Sequence, residues 1–366
     1  MHTGLQSPYR KHRRIFRGKA LLLTSLPFTL YLICALGCGS TSDQQPSSAL
    51  TVDPSSEQSE TTSPTQDAAM AENENASDPN APSTGDIISY RDVNYSPSDG
   101  VETTLNTLDI FRPNDEETRP LVLLVHGGSW ASGDKAGYEQ RFVPWWTERG
   151  YVAVPVNFRL ASRQMETPIV KPQDQVRDLA AALSWLMDNA ERYHIASQGI
   201  VLVGYSSGAH LVALLGTDER YLESAGVQPS QIAASISLDV HAYDVPFALT
   251  LMVDSVVEQN MPIIRHLFGE TEAEQLSGSP INFTADWAAP ALVVSTDEDP
   301  SLEGSYGYIV SQAGNRYVQA LLENGHIARH LHDASETHSS LVAGFGADGD
   351  LTTEAIINFL EQLPAQ

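Results

Sequence analysis

The sequence predicts an α/β domain in which helices cover both faces of a mostly parallel central sheet. Short apolar runs recur along residues 107–333, and segments with helical spacing of apolar residues separate them. This alternation is typical of parallel strands joined by helical crossovers. Several of the runs are apolar almost throughout, as expected for strands that are buried on both faces.

The apolar runs predict seven strands in chain order. They are residues 107–111, "PLVLLVHGG", "YVAVPVNFRL", "GIVLVG", "ASISLD", "ALVVST" and "IARHLHD". Pro155 in the third run predicts a break or an edge position, because proline lacks the N–H that a central ladder uses.

Helical spacing is clearest in residues 173–192, where apolar residues recur every three or four positions. Further helices are predicted directly after Ser206 and over residues 254–268, 318–323 and 353–363. We expect residues 304–314 to reshape the rim of the pocket. Residues 242–283 are open to two interpretations, a small lid or a plain crossover.

The first 37 residues read as an export signal. Six basic residues precede an apolar run over 20–36 that ends in "ALGC", which is the order of a secretory signal. The segment resembles a bacterial lipoprotein signal, with cleavage before Cys38 and acylation of its thiol. Ordinary signal cleavage and an uncleaved anchor are the alternatives. We expect an exported protein at the periplasm or cell surface, held to the membrane only through Cys38.

Residues 38–85 are predicted to be a disordered tether, and 86–366 one globular domain. Between 39 and 85 there is no aromatic residue and no Lys or Arg, so this stretch has too little apolar surface to fold. Both cysteines, Cys34 and Cys38, precede the domain. We therefore expect no disulfide, thiol nucleophile or zinc-thiolate site in it.

The formal charge of the chain is −25, or about −31 once residues 1–37, with their six basic residues, are removed. Such an acidic balance argues against nucleic acid as a partner. It is typical of a well-solvated exported surface.

Ser206 lies in "GYSSGAHL", between a buried strand and a helix. A tight turn at this point projects the serine side chain away from the backbone. Such a turn leaves no room for side chains at the flanking positions, where Gly204 and Gly208 stand. The strand-turn-helix context favours a nucleophile over the alternative, a structural turn.

The motif "HGGSW" follows the second predicted strand. Backbone N–H groups of Gly127 and Gly128 could approach a developing negative charge there, together with the N–H of Ser207 at the start of the helix. We therefore predict an oxyanion hole from these three residues. His126 is expected to pack or to form structural hydrogen bonds.

A serine nucleophile needs a base and an acid that orients it. We take Asp299 as the acid because it follows a late strand, with Asp297 and Glu298 as close competitors; Asp239 follows the strand before it. We take His338 as the base because it lies in a polar loop beyond the last strand. The other late histidines are His326, His330 and His332, of which the last two share one strand face.

The motifs "HGGSWASGDK", "GYVAVPVNFRL", "GYSSGAHL", "PALVVSTDEDP" and "THSSL" together resemble the α/β-hydrolase superfamily. More narrowly they resemble its esterases, among them bacterial feruloyl and acetyl-xylan esterase-like proteins, kynurenine formamidases and hormone-sensitive-lipase-like enzymes. The resemblance implies a triad of Ser206, His338 and Asp299 and the backbone oxyanion hole. The sequence departs from the family in having Ser295-Thr296 where many relatives have His-Gly before the acid.

The resemblance implies a serine hydrolase that cleaves carboxylic esters through an acyl-enzyme, on small or carbohydrate-linked substrates. This chemistry requires neither a metal nor an organic cofactor. Two alternatives remain open: an arylformamidase-type amidohydrolase and a non-catalytic binding protein on the same fold.

Overall fold

The computed structural model describes residues 86–96, 105–162, 170–253, 255, 258–296 and 301–364. All of them belong to one compact unit, Glu72–Gln366. The predicted export signal, Cys38 and the whole of the predicted tether lie outside the described residues. None of the helices in these ranges is long and apolar enough to span a bilayer.

The centre of the fold is an eight-stranded sheet with the order β1-β2-β4-β3-β5-β6-β7-β8. The six strands from β4 to β8 in this order are parallel, and β1 and β2 join one edge in antiparallel pairing. The strands are β1 Ile87–Asn94, β2 Thr107–Pro113, β3 Leu121–Val125, β4 Val152–Val156, β5 Ile200–Tyr205, β6 Ile232–Leu238, β7 Ala291–Thr296 and β8 Ala328–Asp333.

The mostly parallel sheet predicted from the apolar runs is confirmed. β3, β4 and β7 are buried along their whole length, because helices cover both faces. β1 is a strand that the sequence patterns did not reveal, since its exposed residues interrupt the apolar pattern.

The edge position predicted from Pro155 is wrong, because β4 lies between β2 and β3. The Val152 N–H donates to the β3 side and the Asn157 N–H to β2. Pro155 is two residues before Asn157, and residues two apart in a strand direct their N–H groups to the same neighbour. The N–H that Pro155 lacks would therefore point towards β2. The β2–β4 register pairs residues at only two positions, and the ladder loses little there.

The helices pack in two layers. They are α1 Phe142–Thr147, α2 Pro172–Asp188, α3 Ala190–Tyr193, α4 Ser207–Leu215, α5 Glu219–Ser224, α6 Val245–Met252, α7 Met261–Phe268, α8 Glu272–Ser277, α9 Tyr306–Glu323, α10 Ser340–Gly344 and α11 Leu351–Glu361. On one face α2, α4 and α9 bury residues such as Leu179, Leu211 and Tyr317. On the other face α1 and α11 contribute Trp146 and Ile356.

Two predicted segments differ in the structure. The helix predicted over 318–323 is only the last part of α9, which begins at Tyr306 and is capped by the Ser305 hydroxyl, a hydrogen-bond acceptor for the Tyr308 N–H. Residues 304–314 are therefore mostly helix. Residues 242–283 contain α6, α7 and α8.

Candidate active site

Ser206 occupies a strained turn between β5 and α4. Its backbone angles are φ 53° and ψ −125°, a region that non-glycine residues rarely adopt and that is often found at functional sites. The turn requires its glycines: a Cβ on Gly204 would lie 2.2 Å from the carbonyl oxygen of Gly208, and one on Gly208 2.2 Å from that of Val125. The structure thus forms the turn that the sequence predicts for Ser206.

The glycine pair after β3 lies directly beside Ser206. A Cβ on Gly127 would lie 2.9 Å from both the Ser206 Cβ and the Tyr205 carbonyl oxygen. Gly128 has φ +129°, and a side chain there would meet the Ser132 carbonyl at 2.0 Å. Ser207 is the first residue of α4, and the first N–H groups of a helix have no acceptor within it. The structure therefore places Gly127 and Ser207 beside Ser206, with Gly128 next to Gly127 in the chain.

His338 lies beyond β8 and forms a close pair with Asp239. The Nδ1 atom of His338 is 2.5 Å from Oδ2 of Asp239. The Asp239 side chain is fully buried, whereas 31% of the His338 side chain is exposed. An imidazole held at Nδ1 by a buried carboxylate leaves Nε2 available to accept a proton.

Asp239 is anchored at both ends of its carboxylate. It follows β6, and its Oδ1 accepts a hydrogen bond of 2.7 Å from the Thr296 N–H at the end of β7. Its backbone N–H also bonds the Val294 carbonyl, at 2.8 Å. The carboxylate therefore spans β7 to reach the loop after β8.

Asp239 holds the position at His338 that was predicted for Asp299. Asp299 lies outside the described residues, as do its competitors Asp297 and Glu298. The correction has a physical reason: Nδ1 of His338 offers one hydrogen-bonding position to a carboxylate, and Asp239 occupies it. The sequence did contain a signal, since Asp239 is a polar residue at the end of a buried strand.

Two tyrosines hold the His338 loop against the turn. The Tyr205 hydroxyl donates to the His338 carbonyl at 2.6 Å, and the two rings stack 4.8 Å apart. Because Tyr205 precedes Ser206 in the chain, this contact ties the histidine to the serine. The Tyr306 hydroxyl lies 3.3 Å from Nδ1 of His338 and 3.4 Å from the Asp239 carbonyl. Sequence reasoning identified neither tyrosine.

Tyr306 is neutral in this setting. Burial, with a contribution from Asp239, raises its pKa well above the usual value. The hydroxyl therefore keeps its proton and remains a hydrogen-bond donor.

The histidine of "HGGSW" has a structural role, as predicted. His126 stacks on Phe158 at 4.4 Å between ring centroids, and its Nδ1 lies 2.8 Å from the Gly127 carbonyl oxygen. Burial lowers its pKa. The aromatic Trp130 likewise lies in the core, and its indole N–H donates to Nδ1 of His210 at 3.2 Å.

His330 and His332 share one face of β8, as predicted, and both bond the Ser295 hydroxyl, at 2.9 and 3.1 Å. Ser295 is fully buried, so these hydrogen bonds hold the two histidines to the end of β7. Within the described ranges, no group of three or more His, Cys, Asp or Glu side chains could hold a metal ion.

The sheet order, the turn at Ser206 and the histidine after β8 define the α/β-hydrolase fold, and the predicted superfamily is confirmed. The sequence model of the BD-FAE family matches residues 108–311. The chain belongs to this family.

Curated relatives include two proteins of Mycobacterium tuberculosis. The chain is 26% identical to the esterase LipQ, over 69% of its own length and 59% of LipQ. It is 24% identical to LipM, described as a probable carboxylic ester hydrolase, over 53% and 45% of the two lengths. The chain thus spans about half the length of these relatives.

Solved structures share the fold. Esterase B of Lactobacillus rhamnosis superposes with a TM-score of 0.58 at 19% identity, covering 75% of this chain and 85% of that one. Esterase 2 of Thermogutta terrifontis superposes with a TM-score of 0.55 at 21% identity, over 75% and 96% of the two chains. Identities this low support the common fold alone.

Proposed function

We propose that the protein is a serine hydrolase that cleaves carboxylic esters through an acyl-enzyme. The observation that carries the proposal is the His338–Asp239 pair, tied by Tyr205 to the strained turn of Ser206. The esterase descriptions of LipQ and LipM support the same reaction. Small or carbohydrate-linked esters are the proposed substrates, and the proposed location is outside the cytoplasm, with an anchor at Cys38.

In the proposed mechanism the Ser206 hydroxyl attacks the ester carbonyl while His338 takes its proton at Nε2. Asp239 holds the tautomer with the proton on Nδ1 and stabilises the imidazolium that forms. The oxyanion is stabilised by backbone N–H groups of Gly127, Gly128 and Ser207. His338 then protonates the leaving alcohol, and water resolves the acyl-enzyme by the same route.

Hydrolysis of 4-nitrophenyl acetate and butyrate by the purified full chain tests the proposal. Replacing either Ser206 or His338 by alanine should lower kcat about 10⁴- to 10⁶-fold. The exposed Ser224 on α5 supplies the matched serine control, and Ser224→Ala should keep full activity. Retained activity in Ser206→Ala would refute the proposal. An inactive wild type would favour the amidohydrolase or the binding protein.

A further inference from the structure

His241 is a buried polar side chain that the proposed mechanism does not use. It lies in the turn three residues after the end of β6. Both of its ring nitrogens are shielded from solvent and have no hydrogen-bond partner among the described residues. Nearly all buried polar groups in proteins are hydrogen-bonded, so two unpaired nitrogens on one ring call for an explanation.

Other buried histidines of this protein do not share the feature. His210 bonds the Trp130 indole through Nδ1, at 3.2 Å, and has its Nε2 2.7 Å from the Gly278 carbonyl oxygen. His330 bonds Asn315 and Ser295. In the described part of the chain, His241 is the one histidine with two buried and unpartnered nitrogens.

The unpaired ring lies next to the proposed catalytic pair. Its ring contacts Tyr306 edge-on, with 6.2 Å between centroids, and the Tyr306 hydroxyl lies 3.3 Å from Nδ1 of His338. His241 is therefore one aromatic ring away from His338, at the carboxyl edge of the sheet. The residue as a whole is only partly buried, although both ring nitrogens are shielded from solvent.

The ring is neutral at the pH at which esterases work. Burial, assisted by the nearby His338, lowers the pKa of His241 to about 4. A neutral imidazole presents one N–H donor and one lone-pair acceptor. A hydroxyl group can pair with either nitrogen, because it can accept from the N–H or donate to the lone pair.

We propose that His241 binds a hydroxyl group of the ester substrate and so selects hydroxylated esters. The inference rests on the proposed function and names the substrate class of the same site. The hydroxyl belongs either to the alcohol part, as in glycerol or sugar esters, or to the acyl part. In both cases substrate binding gives a partner to one of the two ring nitrogens that are otherwise unpaired.

Two pairs of esters test the proposal, with acid release followed in a pH-stat. Ethyl butyrate against 2-hydroxyethyl butyrate probes the alcohol part, and ethyl butyrate against ethyl 3-hydroxybutyrate probes the acyl part. In the wild type, kcat/KM should favour the hydroxylated member of one pair. The pair that shows this preference identifies the part that carries the hydroxyl.

His241→Phe keeps a flat ring against Tyr306 and removes both nitrogens. It should lower kcat/KM for the preferred hydroxylated ester about tenfold or more, because a site built for a hydroxyl discriminates through that bond. Activity on ethyl butyrate should stay within about threefold, since that ester makes no such bond. His241→Asn, which keeps a donor and an acceptor, should restore part of the preference. If the phenylalanine variant does not fold, His241→Leu replaces it, with the same expected changes in kcat/KM.

His326→Phe is the matched control. His326 precedes β8 and so lies at the amino-terminal ends of the strands, away from His241, with its Nε2 2.8 Å from the Thr284 carbonyl oxygen. Its replacement should leave the preference for hydroxylated esters unchanged. Equal losses on both esters of a pair in His241→Phe, or no loss on either, would overturn the inference while leaving the esterase proposal intact. A wild type that hydrolyses none of these esters would instead overturn the proposed function, and the inference with it.

Discussion

Asp239→Asn is the sharpest test of the proposed triad. Thr296 donates its N–H to Oδ1 of Asp239 at 2.7 Å, so the oxygen of an asparagine must remain at that position. The amide nitrogen then takes the place of Oδ2, which lies 2.5 Å from Nδ1 of His338. Because an amide nitrogen can only donate, Nδ1 must become the acceptor and the ring proton must move to Nε2.

The magnitude follows from this tautomer. A histidine with its proton on Nε2 cannot take the Ser206 proton, and the same change in a serine protease triad lowers kcat about 10⁴-fold. The loss should appear in kcat, while the unfolding temperature stays close to that of the wild type, since the bond to Thr296 is kept. The hydrolysis of 4-nitrophenyl butyrate measures kcat, and a thermal unfolding curve measures the unfolding temperature.

Asp299→Asn and Asp297→Asn are the matched controls, with kcat expected to stay within about threefold of the wild type, as for changes outside the triad. A 10⁴-fold loss in Asp299→Asn together with an active Asp239→Asn would refute the assignment of Asp239. It would restore the acid predicted from the sequence, at the end of β7.

Three other predictions concern the same domain. Tyr306→Phe removes the hydroxyl that lies 3.3 Å from Nδ1 of His338 and 3.4 Å from the Asp239 carbonyl and should lower kcat about three- to tenfold with KM unchanged; a larger change in KM would contradict a positioning role. Gly127→Ala introduces a Cβ 2.9 Å from that of Ser206, and steady-state kinetics should show kcat/KM falling about a hundredfold, whereas unchanged activity would exclude this glycine from the oxyanion hole. Burial holds the pKa of His330 at about 4 in the fold, below the unfolded value of about 6.5; the unfolded state therefore binds protons first, and urea unfolding should show stability lost as the pH falls from 6.5 to 4. His330→Leu should reduce that slope, and an unchanged slope would contradict the reasoning.

The proposed acid lies after β6, one strand away from the strand end at which it was predicted. The carboxylate reaches His338 across the end of β7, and the Thr296 N–H supplies the bond that fixes its direction. Thr296, the last residue of β7, thus anchors the carboxylate of Asp239.

Local patterns predicted much of this fold because their causes are local. Burial on both faces makes a strand apolar throughout, and this identified β3, β5 and β7. The turn at Ser206 needs glycines at fixed spacing, so its motif is visible in eight residues. β1 was missed because exposed residues interrupt its apolar pattern. The first half of α9 was missed because its buried face includes Gly307, Ser311 and Gly314, which give no apolar helical pattern, and glycine is a weak helix former.

The sequence by itself determined the α/β class, the strand-turn-helix position of Ser206, the glycine pair beside it and a histidine beyond the last strand. Only the tertiary structure decided which carboxylate meets His338. Asp239 is 99 residues away in the chain, and a solvated loop aspartate and a buried catalytic one look alike in sequence. The choice depends on the order β6-β7-β8, because parallel pairing brings strand ends together that the chain keeps far apart.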